Sequence, residues 1–312
     1  MTRSFLLSLL LLSGCSSPLR YGGDAGTSAS TNQDGSGSGT MGTSSSARFI
    51  SVSAGEYDSC GVQTDGTIQC WGRFSEYPTN LPTTPPSGSF AAVSVGQGYM
   101  CGLRTDGTMV CWGDPLFDDQ YGLTLAPAGT YLSISTGYFE ACGVATDLSL
   151  TCWGYNDPGD PPPWSGTFAS VSAGGLHTCE LRTGGTVVCW GDDIYGQCNP
   201  PPGTFTSVAA GHFFTCGVRP TSDVACWGLD NYHQSTPPKG KFASVTAGDF
   251  HACGLRTDGS VACWGDNADG ESAAPAGTFT AISAGGTHTC AVRTDGTVVC
   301  WGSNLWGEST PP

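Results

Sequence analysis

Residues 279–302 read FTAISAGGTHTCAVRTDGTVVCWG. Phe279, Ala281 and Ser283 alternate with Thr280, Ile282 and Ala284 over a short β-compatible run that stops at Gly285-Gly286, which is the period of a strand. A second strand, Cys290 to Arg293, meets a third, Val298 to Trp301, across Thr294-Asp295-Gly296. Glycine there supplies the left-handed residue that closes a three-residue hairpin with a bulge. With that loop, Cys290 falls directly opposite Cys300. Opposed residues on antiparallel strands have Cα atoms roughly 4.5–5.5 Å apart, inside the window of about 4.4–6.8 Å that a disulfide accepts.

Six imperfect copies precede this stretch. Cysteine pairs with nine residues between them, and with Trp and Gly after the second, stand at 60/70, 101/111, 142/152, 179/189, 216/226, 253/263 and 290/300. Successive units begin 41 or 37 residues apart; self-similarity at such a period marks a solenoid, propeller or array, and no unit offers helical spacing. Cys60, Cys70, Cys101, Cys111, Cys142, Cys152, Cys179, Cys189, Cys216, Cys226, Cys253, Cys263, Cys290 and Cys300 are therefore expected to form seven disulfides, one per unit. Zinc is the weaker use of these pairs, since its ligands lie two to four residues apart and converge in fours. Asp-Gly turns stand at Asp65, Asp106, Asp258 and Asp295, and Gly184-Gly185 replaces one; Asp147-Leu148 and Ser222-Asp223 leave two turns less defined.

A fourth segment after each CysTrpGly holds the prolines, as at Pro200-Pro201-Pro202 and Pro237-Pro238. Proline belongs on sheet edges or connections, so the unit is expected to be a small blade of three strands and a proline-punctuated fourth. Blades placed radially leave only short protected edges. The expected fold is all-β, a seven-bladed β-propeller over residues 48–312.

The run SerAlaGly, His-x-Cys, ThrAspGly, CysTrpGly, with a loose GlyGln or GlyGlu before paired prolines, resembles the repeats of the regulator of chromosome condensation family. The resemblance covers residues 49–312 and implies a seven-bladed propeller. It implies less about activity, since that family includes a nuclear exchange factor, ubiquitin-ligase modules and a secreted bacterial inhibitor of β-lactamase. The cysteine pairs depart from the nuclear members and fit an exported branch.

Residues 1–14 carry Arg3, then an apolar run from Phe5 to Leu12, the layout of a secretory signal and far short of a membrane span. Leu12-Ser13-Gly14-Cys15 resembles the lipobox of bacterial lipoproteins, which implies lipidation of Cys15. More than one acyl chain makes such an anchor durable. Ser16 after the cysteine, where Asp would signal inner-membrane retention, implies the outer membrane of the cell envelope. Residues 15–47 are rich in Gly, Ser and Thr and are expected to form a flexible tether.

The formal net charge is −15, with 11 Lys and Arg in the whole chain. Nucleic acid is thus an unexpected partner, because its phosphates require clustered cations. Export also suits disulfides, which persist in oxidising compartments. Cys198 is the cysteine left over; it stands where later units have Ser235 and Ser272, and reads as a tolerated small residue or as a free thiol open to intermolecular pairing.

The loops before each first cysteine vary most and should share one face with the loops after each CysTrpGly. Tyr57, Tyr99, Phe139 and Phe213 in the first set, and Trp164 and Trp306 in the second, are the candidate binding residues. His177, His251 and His288 repeat at one position and read as blade packing, as do the tryptophans after the second cysteines. No nucleophile elbow or phosphate loop occurs. Asp118-Asp119, Asp157/Asp160 and Asp192-Asp193 lack the spacing of a calcium loop. No enzyme, metal or cofactor is expected. The expected function is a membrane-anchored, non-catalytic binding module for a protein or surface glycan, with inhibition of a secreted or periplasmic hydrolase as the alternative.

Overall fold

The computed structural model describes residues 47–73, 84–113, 121–155 and 165–312, which lie in a compact unit spanning Ser45–Pro312. Cys15 and Trp164, together with Asp118, Asp119, Asp157 and Asp160, lie outside the described residues.

Blade 1 consists of β1 (Phe49–Ala54), β2 (Asp58–Gln63) and β3 (Ile68–Gly72), and blade 2 of β4 (Phe90–Val95), β5 (Tyr99–Arg104) and β6 (Met109–Gly113). Blade 3 follows as β7 (Tyr131–Thr136), β8 (Glu140–Ala145) and β9 (Leu150–Gly154), and blade 4 as β10 (Phe168–Ala173), β11 (His177–Arg182) and β12 (Val187–Gly191). Blade 5 is β13 (Ser207–Ala210), β14 (Phe214–Val218) and β15 (Val224–Gly228); blade 6 is β16 (Phe242–Ala247), β17 (His251–Arg256) and β18 (Val261–Gly265). Blade 7 closes the series with β19 (Phe279–Ala284), β20 (His288–Arg293) and β21 (Val298–Gly302). Each blade is a three-stranded antiparallel meander, so the chain folds as a seven-bladed β-propeller.

The expected hairpin is present. Arg293 N–H donates to the Thr297 carbonyl at 2.8 Å, Gly296 N–H to the Arg293 carbonyl at 2.9 Å, and Gly296 has φ 86°. Units 3 and 5 keep the same turn although they lack glycine there: Leu148 and Ser222 take φ 67° and 66°. Cysteines oppose one another in every hairpin, with Cα atoms 4.0–4.1 Å apart and a disulfide across each pair. The separation is below the expected range and belongs to the closer kind of pair in an antiparallel ladder.

The expected fourth strand is absent among the described residues. In the connection after blade 4, Gly196 N–H donates to the Asp193 carbonyl and Asn199 N–H to the Gly196 carbonyl, both at 3.1 Å. The buried Gln197 side chain accepts the Tyr195 N–H at 2.9 Å. Gln234, Glu271 and Glu308 repeat that bond in the later connections. Turns and a buried amide or carboxylate thus satisfy backbone donors that a ladder would otherwise take up, and the prolines beyond them withhold donors.

First strands line the axis, and six of the seven are tied to the next blade through a hydroxyl. The Ser53 hydroxyl accepts the Val95 N–H at 3.0 Å, and Ser94, Ser135, Ser172, Thr246 and Ser283 do likewise, the last reaching Ala54 across the ring. Glycines 55, 96, 137, 174, 211, 248 and 285 form a tight collar. A Cβ on any of them would fall 2.6 Å or less from the carbonyl oxygen of the next glycine, Gly285 meeting Gly55. The ring therefore closes by packing of blade 7 on blade 1, with no shared blade.

The core lies between blades. Cys60 and Val62 of blade 1 pack against Phe90, Val93, Met100 and Trp112 of blade 2, and Cys290 and Val292 of blade 7 pack against Phe49, Val52 and Trp71 of blade 1 by the same scheme. The tryptophans have the inter-blade role expected of them, and the indole N–H of Trp71 donates to the Glu308 carbonyl at 2.9 Å.

Candidate recognition face

Among the described residues, the chain after CysTrpGly turns back onto the loop between the first two strands of the same blade. Tyr155 N–H donates to the Phe139 carbonyl, Asp192 N–H to Leu176, Asp266 N–H to Phe250 and Ser303 N–H to Thr287, at 2.8–2.9 Å. The two sets of loops thus share one face, as the alternation of strand direction requires, and the Asp-Gly hairpins point the other way.

Histidine at the second position before the cysteine is a packing device. Nε2 of His177, His251 and His288 lies 2.7 Å from the hydroxyl of Thr215, Thr289 and Ser59 on the following blade. The Thr215 hydroxyl gives its one proton to the Gln197 carbonyl at 2.9 Å. His177 therefore donates from Nε2. Burial lowers all three imidazoles to about 4.

Tyr99 requires a correction. It occupies this histidine position rather than the exposed loop tip: it is wholly buried, and its hydroxyl donates to the Glu140 carbonyl at 2.9 Å. Burial raises its phenol far above the ordinary range. In blade 2 the loop tip is Gly98.

Of the other expected contacts, Tyr57, Phe139, Phe213 and Trp306 lie on the shared face, half-buried. The Arg73 guanidinium sits 5.2 Å from the rings of both Tyr57 and Trp306, joining blade 1 to the last connection. A bond to Glu56, then burial, pushes the Tyr57 phenol up to about 12. Phe139 packs on Tyr121 at 5.5 Å. Phe213 stacks on His212 at 4.0 Å and meets Tyr195 at 5.5 Å and Phe250 at 6.2 Å.

Several of the residues on this face were not among those candidates. The Tyr138 hydroxyl donates to Asp249 Oδ1 across the ring, from blade 3 to blade 6. His212 Nδ1 is 3.8 Å from the same oxygen, and the rings of Tyr138 and His212 are 5.1 Å apart, edge to face. Burial, then the Asp249 charge, raises the Tyr138 phenol strongly. With Gln97 donating to Glu56, these side chains plug the axis and leave only about 80 Å³ at its mouth. Outside the plug, Tyr155, Tyr195 and Tyr232 are each nearly half exposed. A cleft of about 390 Å³ between blades 3 and 4 is lined by Tyr121, Phe139, Glu140, Tyr155, Leu176 and Trp190, among others. The signal that could have found these residues was departure from the repeat: Tyr138, His212 and Asp249 share one loop position with Gly175 and Gly286.

Glu140, Cys142 and Cys152 bring a carboxylate and two sulfurs together, but the sulfurs are bonded to each other and are not metal-binding thiolates. Asp193 is engaged by the Cys198 N–H and the Asn199 amide, both at 2.8 Å. Cys198 occupies the place of the repeat serine: its thiol reaches the Asp192 carbonyl at 3.3 Å, as Ser235 reaches Leu229. Burial pushes that thiol up to about 12.

Five segments, residues 90–119, 168–197, 205–234, 242–271 and 279–305, match the model of the regulator of chromosome condensation (RCC1) repeat. No curated protein sequence matches the chain. Among solved structures it is similar to the CRINKLY WD40 ectodomain of the receptor kinase ACR4 from Arabidopsis thaliana, with TM-score 0.67 and 28% identity over 83% of this chain and 99% of that one. The ectodomain of the receptor kinase CR4 from Physcomitrella patens is similar at TM-score 0.67 and 25% identity, covering 82% and 74%. Prp20p of Saccharomyces cerevisiae, described with its binding to Gsp1p and histones, shares the fold at TM-score 0.60 and 14% identity, covering 69% and 72%. Five of the seven blades thus match the regulator of chromosome condensation (RCC1) repeat, in a chain that folds as a seven-bladed propeller.

Proposed function

We propose that the chain is an exported recognition module, held at the outer membrane by lipid on Cys15, that binds a protein partner non-catalytically through its aromatic face. The observation that carries this reading is the continuous aromatic surface from Tyr155 through Phe139, Tyr138, His212 and Phe213 to Tyr232. It is mounted on blades that each carry a disulfide. Aromatic side chains on rigid supports offer contact area at little cost in conformational entropy. Export is supported by the seven disulfides, which need an oxidising compartment, and by the likeness to two receptor ectodomains. Prp20p illustrates that a propeller of this fold can serve protein binding.

The test is proximity labelling with the native acylated chain, run beside a variant carrying Phe139→Ala, Phe213→Ala and Phe250→Ala. The variant should keep its far-ultraviolet dichroism and lose the labelled partner; retention of the partner would remove this face from consideration. Cys15→Ser should move the protein from the membrane fraction to the soluble one, and an unchanged membrane fraction would contradict the anchor.

A further inference from the structure

Charge is divided unequally between the two ends of the ring. Glu56, Glu140, Asp192, Asp193, Asp230 and Asp249 belong to the aromatic face, and more carboxylates follow in the later connections. Among the described residues Arg73 is the only Lys or Arg at that end, and it is already held between Tyr57 and Trp306. The remaining arginines and lysines of the described residues lie near the hairpins. There Arg104, Arg219, Arg256 and Arg293 stack on a phenylalanine of their own blade, and the Lys241 ammonium donates to the Thr221 carbonyl. The hairpin aspartates sit beside these cations. The aromatic face is thus strongly negative while the opposite one is close to balanced.

The cleft between blades 3 and 4 gathers that charge at one point. Glu140 occupies the position that is a neutral histidine in blades 4, 6 and 7, and its carboxylate accepts the Thr178 hydroxyl of the next blade at 2.7 Å. It lines the cleft beside Tyr121, Phe139 and Tyr155. These rings meet at 5.5 and 5.6 Å with interplanar angles of 57° and 87°, so they present both faces and edges to one space. Leu176 and Trp190 form the other side. A cation is attracted to ring faces and to a carboxylate together, while the aliphatic stem of a basic side chain gains from apolar walls.

We infer that this face takes a positively charged segment of its protein partner, with a lysine or arginine side chain seated in the cleft against Glu140. The inference rests on the reading of the aromatic face as a binding surface and adds the chemistry of the partner. A neutral glycan could stack on the same rings but would gain nothing from the one-sided charge, which steers and retains a basic chain.

The test uses the full chain and a Gly-Arg repeat peptide as probe, followed by calorimetry at low and at moderate salt. A Gly-Glu peptide and a neutral oligosaccharide serve as comparisons. Glu140→Gln keeps an acceptor for Thr178, and Tyr155→Ala alters a half-exposed ring, so both should fold. Each should weaken the Gly-Arg peptide roughly tenfold, whereas Asp106→Asn on the opposite face should leave it unchanged. Equal weakening by Asp106→Asn and Glu140→Gln would reduce the effect to diffuse charge and overturn the inference. Binding of the oligosaccharide in place of the peptide would overturn it as well. If the peptide binds indifferently while the triple phenylalanine variant still loses the native partner, the face stands as a binding surface and only the basic segment is wrong.

Discussion

Nε2 of His288 lies 2.7 Å from the hydroxyl of Ser59, and this bond between the last blade and the first repeats the one that His177 makes with Thr215 and His251 with Thr289. Seen along the ring, the position obeys a pairing rule. Histidine or Glu140 is followed on the next blade by a hydroxyl; Tyr99 and Phe214 are followed by Ala141 and Ala252. Asp58, followed by Met100, stands outside it. A polar group buried between blades needs a partner, and an aromatic one needs room.

The pairing makes stability depend on pH with a definite sign. The three histidines are lowered in the folded state from 6.5 to about 4. Unfolded chains therefore bind protons first as the pH falls. The contribution is complete above about pH 6.5 and is lost between there and pH 4, at roughly 3 kcal/mol per histidine. Urea midpoints across that range should fall steeply. The double variant His177→Phe with Thr215→Ala copies the Phe214/Ala252 pair, leaves the Gln197 carbonyl its bond from Trp227, and should remove about a third of the slope. A slope unchanged in that variant would assign the pH dependence to other groups.

The hydroxyls that tie the first strands together leave one gap. Ser53, Ser94, Ser135, Ser172, Thr246 and Ser283 each accept a backbone N–H from the next blade, but blade 5 has Ala209 at this position. Ala209→Ser should complete the ring by offering an acceptor to Ala247 and raise stability by about 1 kcal/mol. Chemical denaturation at pH 7 measures it, and a loss of stability would mean that the apolar packing of Ala209 with Phe214 and Val245 is the stronger term.

Turns supply a second place where copies depart from the rest, here blades 3 and 5. Gly66, Gly107, Gly185, Gly259 and Gly296 have φ of 83–86°, and Ser222 is held at 66° in the equivalent place. A side chain in that region costs about 1–2 kcal/mol, part of which glycine returns through a freer unfolded chain. Ser222→Gly should therefore stabilise by up to about 1 kcal/mol, read as a higher melting temperature. A fall would show that the strain is relieved by neighbours such as the Phe242 N–H, which donates to the Ser222 carbonyl at 2.7 Å.

These copies also show which features were legible in advance. The hairpin and the opposed cysteines follow from local counting, because nine residues between cysteines leave only one register once the three-residue loop is chosen. Loop identity was less secure. Tyr99 reads as a loop-tip aromatic when counted forward from the preceding glycine, and as a core residue when counted back from Cys101. The contact between Tyr138 and Asp249 spans 111 residues and depends on closure of the whole ring, so no local pattern announces it. The fourth segment misled for a different reason: its prolines mark an edge, but the buried Gln197 and Glu308 that hold it in turns do so through side chains whose burial is a tertiary property.

Glu180 is the departure with the clearest energetic consequence. Its position follows the first cysteine, where blades 1, 2, 3, 5 and 6 have Gly and blade 7 has Ala291, because a strand-one aromatic ring packs there. In blade 4 the glutamate is fully buried. Arg182, instead of stacking on Phe168 as its counterparts stack on theirs, donates from Nε to Glu180 Oε1 at 3.1 Å. The second carboxylate oxygen has no hydrogen-bond partner among the described residues. Burial raises the carboxyl above its ordinary value despite the arginine. A group whose folded pKa is raised destabilises its ionised form: the penalty is full above the folded pKa and disappears as pH falls through it towards about 4.3, the unfolded value. Glu180→Ala should therefore stabilise the ring by about 1–2 kcal/mol at pH 7 and by little at pH 4. Urea denaturation at both pH values tests this, and destabilisation at pH 7 would mean that the Arg182 pair outweighs the unpartnered oxygen.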